Sequence, residues 1–371
     1  MNILILGGYG TTGRMIAGLL LQETDVTVVL AGRNLQKAQE TAAEFNQVFA
    51  GERVSGEFAD ASDEASLKKL FQQVGLVVVA SSTSDYVNQV AKAAIEARID
   101  YLDIQYSSPK INSLKALEQD IAEAGCCFIT DGGFHPGLAA VLVHYIARFF
   151  DSLEAANVAS IIKIDWAKLN LSDSTIRELA EELYSFDSSF YKDGRWKKAG
   201  TFDIRYINFG KKYGKSYCWP MMLEEMVEVP KRYADLKETG FFVGGFNWFV
   251  DWFVLPVALL AQKVCPDKSR NAISSFFKWG LTTFSRPPYG TILKVEATGY
   301  KAGQRTSEEV SLYHSDGYML TAIPVVACLL QYLDGSIKKT GLWTQANLVE
   351  PERLMRDMIK MGVSYEQGSL S

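Results

Sequence analysis

The sequence predicts an α/β fold in which a doubly wound parallel sheet is followed by a second, α+β domain built on a mixed sheet. Three observations carry this. Six short apolar runs alternate with helical patterns over the first 130 or so residues, a glycine cluster stands directly after the first run, and 371 residues exceed one ordinary core. Ile3-Leu4-Ile5-Leu6 reads as the first strand, and Met15, Ile16, Leu19 and Leu20 place a helix just beyond the glycines. Further strands are predicted at 26–31, 54–58, 76–80, 101–104 and 126–130, with helices at 35–45, 64–74, 86–97 and 114–124. The run 76–80 is apolar throughout, as expected where both faces of a parallel sheet are covered. After a Gly/Pro-rich turn and a helix at 138–150 the style changes. Segments 158–166, 201–209, 292–300 and 308–313 alternate or run apolar like strands of a mixed sheet. Helices at 320–333 and 351–361 close the chain, and 338–342 reads as a linker. The expected domains are 1–131, 132–317 and a C-terminal segment, 318–371.

The order strand, Gly-x-Gly-x-x-Gly and helix is what a dinucleotide pyrophosphate requires. One glycine makes the tight turn, the next lets the backbone approach the phosphates, and the third lets the helix pack closely. Gly7, Gly8, Tyr9, Gly10, Thr11, Thr12 and Gly13 are therefore the expected phosphate cradle of a Rossmann sheet. The second strand ends at Ala31, with no carboxylate for an adenosine ribose, and Arg33 follows Gly13 by 20 residues. A guanidinium there suits a 2′-phosphate, with Asn34 and Lys37 as further donors, so NADP is the expected cofactor. In open α/β sheets, ligands bind beyond the C-terminal strand ends. Those tips hold Asp60, placed for an adenine amino group, Ser81, Ser82 and Thr83, placed for ribose or phosphate, and then Asp103 and Asp131.

Several of these segments together resemble the saccharopine dehydrogenase-like group, whose N-terminal domain binds NADP(H). They are Gly7 to Arg14, Ala31-Gly32-Arg33-Asn34, the spaced Ala91, Ala94 and Ala97 before Tyr101-Leu102-Asp103, the Gly133-Phe134-His135-Pro136-Gly137 turn, and residues 320–363. The resemblance spans about 1–145 and, less fully, 318–365. It implies a discontinuous architecture in which the last helices return to the nucleotide domain, and oxidoreductase chemistry, commonly at a carbon–nitrogen bond. The chain also departs from the group. Substrates rich in carboxylates call for convergent arginines, and no spacing among Arg177, Arg195, Arg205, Arg232, Arg270, Arg286 and Arg305 identifies a clamp. The middle region is instead aromatic, so a small substrate with an apolar portion is expected.

Candidates for the chemistry are His135, whose ordinary pKa near 6.5 suits proton exchange, Asp103 and Tyr106. His135 could equally bond a carbonyl of its turn, and Asp103 could cap the turn after its strand. His144, on an apolar helix, reads as a core residue, and His314 carries no signal. Tyr106 and Lys110 have the Tyr-x-x-x-Lys spacing of epimerase-type sites, but Pro109 intrudes and the pair falls in a predicted loop.

A net charge of −5 with scattered basic residues argues against nucleic acid. Five cysteines without a C-x-x-C pair indicate a reducing, cytoplasmic setting, and three scattered histidines predict no metal. The first apolar run is four residues long and ends in glycines, so no secretory leader is expected. Segment 241–261 holds one charge in 21 residues and would span about 31 Å as a helix. Pro256, and Asn247 with Asp251 at i,i+4, argue against a simple span. Its readings are a buried core, homodimer contact or apolar substrate pocket, or else a peripheral membrane contact. The leading function is an NADP-dependent oxidoreductase; the alternative is a non-catalytic dinucleotide-binding accessory protein that engages a lipid surface or partner through 241–261.

Overall fold

The computed structural model describes residues 1–168, 187–200, 203–244, 246–264 and 266–369. Arg177, Cys265 and the start of the strand expected from Thr201 lie outside the described residues. The chain forms two units, Met1–Leu138 with Tyr318–Met361, and Ala139–Gly317 with Gly362–Ser371.

The first unit contains β1 (Asn2–Leu6), β2 (Thr27–Gly32), β3 (Val54–Phe58), β4 (Leu76–Val79), β5 (Asp100–Asp103) and β6 (Cys127–Thr130). Each pairs in parallel with its neighbours, in the order β6-β5-β4-β1-β2-β3. Ile3, Leu4 and Ile5 are fully buried, as are Val77, Val78, Tyr101 and Leu102, because helices cover the sheet and leave no wet face. Tyr101 stacks on Phe128 from the next strand at 4.9 Å between centroids. The chain order reverses between β1 and β4, so the crevice where a ligand fits opens at the end of β1.

Two expectations are corrected here. The sheet has seven strands: Gly341–Thr344, partly inside the expected linker, pairs in parallel with β6. It finds a sheet edge with unpaired backbone groups, which a four-residue segment fills without needing a strong pattern of its own. The helix expected at 114–124 is two helices, Ser108–Ala116 and Glu118–Glu123. Ser107 caps the first by accepting from Lys110 N, and Pro109 stands in its first turn, where a missing N–H costs nothing. Proline starts this helix; it does not forbid it.

Among the described residues the second unit holds a nine-stranded mixed sheet. Its long central strands are β7 (Ser152–Lys163) and β9 (Gly290–Lys301), antiparallel, flanked by β8 (Glu238–Gly244) parallel to β7 and by β10 (Gln304–His314). The helix Ala139–Ala147, apolar but for His144, packs across β7, β9 and β10. Ser364–Gly368 adds an edge strand to β10. Segment 241–261 is not one helix. Phe241 and Phe242 are buried in β8, Val250–Val254 is a π-helical turn, and Leu255–Val264 is an α-helix. Asn247 makes the break: its Oδ1 accepts from Phe249 N and Val250 N, at 3.1 and 2.9 Å, and so starts the helical part. No helix among the described residues is long and apolar enough to cross a membrane.

Candidate functional site

β1 delivers Gly7 to the crevice with φ +85°, and Gly7 N donates to Ala31 O of β2 at 2.8 Å. A Cβ on Gly7 would lie 2.8 Å from Ser81 Cβ at the tip of β4, and one on Gly13 would lie 2.3 Å from Gly7 O. Only glycine permits this closeness. Helix Thr11–Glu23 starts from Gly10 with no side-chain cap and no acidic residue in its first turn. Arg14 N already bonds Gly10 O, so the positive end presents the N–H groups of Thr11, Thr12 and Gly13 to the crevice. Tyr9 braces the loop, its hydroxyl accepting from Asn34 N at 3.0 Å.

Beyond β2, Arg33 is exposed and, among the described residues, has no carboxylate at ion-pair distance. Asn34 caps the next helix, its Oδ1 accepting from Lys37 N at 3.0 Å. Asp60 Oδ1 accepts from Ser62 N and Ser62 Oγ, which hold its carboxyl below the ordinary range, with a further push from the Arg33 charge. Ser81 and Thr83 share a hydroxyl–hydroxyl bond of 3.0 Å, and Ser82 is exposed beside them. Gln105, just past β5, donates through Nε2 to Ser81 O and Thr83 Oγ1. Its Oε1 is enclosed and, among the described residues, has no donor, an orphaned acceptor at the strand tips that a ligand N–H would satisfy.

The tips of β5 and β6 carry an arrangement of greater consequence. Lys110 Nζ donates to Asp103 Oδ1 and Asp131 Oδ1, both at 2.7 Å, and to Gln105 O, which uses all three ammonium protons. The side chains of Lys110, Asp103 and Asp131 are 0%, 0% and 3% exposed. Thr130 Oγ1 donates to the other Asp103 oxygen at 2.8 Å. Burial alone would depress the Lys110 ammonium, but the charges of Asp103 and Asp131 outweigh it and hold the group above the ordinary lysine value. Two buried carboxyl groups thus share one ammonium at these tips. The Tyr-x-x-x-Lys reading loses its lysine, since Lys110 has no donor left for a ribose or a phenol.

His135 follows β6 in a turn clamped from behind. The fully buried Gln345 donates through Nε2 to Gly133 O at 3.2 Å and Gly137 O at 3.1 Å, and its Oε1 accepts from Gly133 N at 3.3 Å. The His135 residue keeps some exposed surface, yet its Nε2 is enclosed, and burial pushes the imidazole down to about 4. The ring is therefore neutral at pH 7, in place of the ordinary titration near neutrality. Tyr106 is half-buried on the loop between β5 and Lys110. His144 is a core residue, bonded through Nδ1 to Tyr233 OH at 3.0 Å. Among the described residues no cluster of His, Cys, Asp and Glu has metal-holding geometry.

Sequence reasoning met Lys110 only in the Tyr-x-x-x-Lys spacing and missed its bridging role, as it missed the roles of Gln105 and Gln345. A lysine followed by the apolar positions of a helix was the available signal for the first. For Gln345 there is none, since it meets the turn from 212 residues away.

The cradle, the uncapped helix end and the strand-tip residues define a dinucleotide-binding domain. Residues 3–128 match the saccharopine dehydrogenase NADP binding domain, the family that the sequence resemblance names. The chain is 22% identical to carboxynorspermidine synthase of Vibrio cholerae, covering 99% of this chain and 96% of that protein. Its fold is similar to that of the saccharopine dehydrogenase (L-Glu forming) from Saccharomyces cerevisiae, with a TM-score of 0.69, 17% identity and full coverage of both chains.

Proposed function

We propose that the protein is a cytoplasmic NADPH-dependent reductase acting at a carbon–nitrogen centre, with a small, partly apolar substrate. The observation that carries the reading is the glycine turn, where an added Cβ on Gly13 would meet Gly7 O at 2.3 Å, facing a free helix end. Such a turn receives a pyrophosphate on backbone N–H groups. Arg33, exposed at the tip of β2 and without an ion-pair partner among the described residues, suits the 2′-phosphate that separates NADP from NAD. Bound NADPH supplies the hydride.

The protein's own residues supply the setting. The buried Asp103–Lys110–Asp131 group, which sets two carboxyls around one ammonium, favours a cationic centre such as a protonated imine over a neutral carbonyl. The relative's name denotes a polyamine derivative and the structural neighbour's an amino acid, both amines, which supports the same preference. Neutral His135 can donate or accept a hydrogen bond at pH 7 without carrying charge. Gln105 Oε1 offers an acceptor to a ligand amide or amine. Four described cysteines are free and buried, consistent with a reducing compartment.

The test is NADPH oxidation with paired amines and aldehydes or keto acids, beside calorimetry with NADPH and NADH. We expect turnover on an imine-forming pair, and an Arg33→Ala variant that loses about tenfold or more in NADPH affinity while NADH binding is unchanged. NADPH binding without turnover on any pair would instead support the non-catalytic accessory reading.

A further inference from the structure

We propose that the apolar face running from Trp248 to Val264, together with Trp279, docks the protein on the surface of an anionic phospholipid bilayer. Phe253, Val257, Leu260 and Val264 follow one another at intervals of four, three and four residues, which places them on one side of the helical run. They are 51%, 47%, 64% and 69% exposed. The opposite side is already used: Val250 and Val254 are buried in a cluster with Trp166, Phe277 and Leu281. The segment is thus apolar on its inner side and on its outer side. A helix of that kind is normally covered on both.

Aromatic rings extend the outer face. Trp248, Trp252 and Trp279, three of the seven tryptophans of the chain, are each about half exposed. They are not loose: Phe249 stacks on Phe284 at 4.4 Å and meets Trp279 at 5.2 Å, while Trp248 meets Phe253 at 5.9 Å. The result is a built aromatic plate beside an apolar helix.

Charge selects what covers it. Residues 246–289 contain Lys263, Lys268, Arg270, Lys278 and Arg286 against Asp251 and Asp267, a local excess of cations in a chain of net charge −5. Asp251 is only 8% exposed, which leaves the acidic side weaker still. A second copy of this segment would bring two cation-rich stretches together, whereas an anionic headgroup layer complements their charge. Tryptophan rings favour the headgroup level of a bilayer, and basic residues beside apolar ones mark helices that lie on it. Leu255–Val264 has 10 residues, about 15 Å of helix, so the segment rests at the surface and does not cross.

The experiment is sedimentation of the full chain with vesicles of phosphatidylcholine alone or mixed with phosphatidylserine, at low and high salt, with tryptophan emission recorded. We expect binding to the serine-containing vesicles at least about tenfold stronger than to the neutral ones, a blue shift on binding, and release by salt. A double variant, F253E with L260E, should lose about tenfold or more of that binding. Its circular dichroism and its NADPH affinity should not change, since both side chains are exposed. Trp248→Ser provides a second, uncharged variant with the same expected direction. Equal binding to both vesicles, no binding to either, or variants that bind like the parent would each overturn the proposal. So would light scattering that shows a dimer split by F253E with L260E, which would assign the face to a second copy. None of these outcomes depends on whether the protein turns over a substrate.

Discussion

At Lys110 one ammonium answers two buried carboxylates, and the whole arrangement rests on a side chain with no exposed surface. Lys110→Met keeps the volume but removes the ammonium that Asp103 and Asp131 share. We expect a stability loss on the order of 3–5 kcal/mol in urea unfolding, as for removal of one partner from a buried ion pair. A loss below about 1 kcal/mol would mean that the carboxylates find other partners. His135 gives a pH signature of its own. Its folded-state pKa, lowered to about 4 by burial, lies below the unfolded value near 6.5. The unfolded chain therefore binds the proton first, and the stability present above pH 6.5 is lost as pH falls toward 4, by roughly 3 kcal/mol. A His135→Gln variant should lack that segment of the stability–pH curve; superimposable curves would count against a buried neutral ring. The places of the glycines after β1 and of Arg33 after β2 were legible at this scale because their signal is local spacing. Lys110 was not, because Pro109 read as a helix breaker and only the position of Ser107 as a cap turns it into a helix start.

At the scale of elements, most strands and helices stand close to where periodicity places them, since an all-apolar run such as 76–79 has no other comfortable environment. The failures share a cause. Gly341–Thr344 has little pattern and becomes a strand by filling the open edge of β6. Phe241–Gly244 looks continuous with the apolar residues after it, yet sheet pairing with β7 takes the first part and the Asn247 cap takes the second. Gln345 belongs to this scale as well, because it stands at the end of the added strand and ties down the turn after β6. Replacing it with Leu leaves the Gly133 and Gly137 carbonyls and the Gly133 N–H buried without these partners. The expected cost is about 1–3 kcal/mol. Amide hydrogen exchange should show the loosening confined to residues 132–138, and unchanged protection there would remove Gln345 from its role as a clamp.

For the whole molecule the consequence of discontinuity is testable. The first unit is completed by Tyr318–Met361, whose helix Gly317–Leu333 buries Ile323, Val326 and Leu329 and whose Tyr332 hydroxyl bonds Asp100 at the start of β5. A fragment ending at residue 138 lacks that cover and the seventh strand. It should show no cooperative thermal transition by circular dichroism; a sharp transition would mean that the nucleotide-binding sheet needs no C-terminal return. From sequence alone came the parallel sheet, the glycine turn after its first strand and the positions of the strand tips, because each depends on periodicity or on glycines at fixed short spacing. Tertiary structure alone decided that Lys110 bridges two acids, that Gln345 clamps the turn of His135, that the imidazole is neutral, and which side of residues 248–264 faces water. Each of those is set by groups brought together from separate segments and by the loss of solvent around them, and neither the meeting nor the burial has a local pattern to announce it.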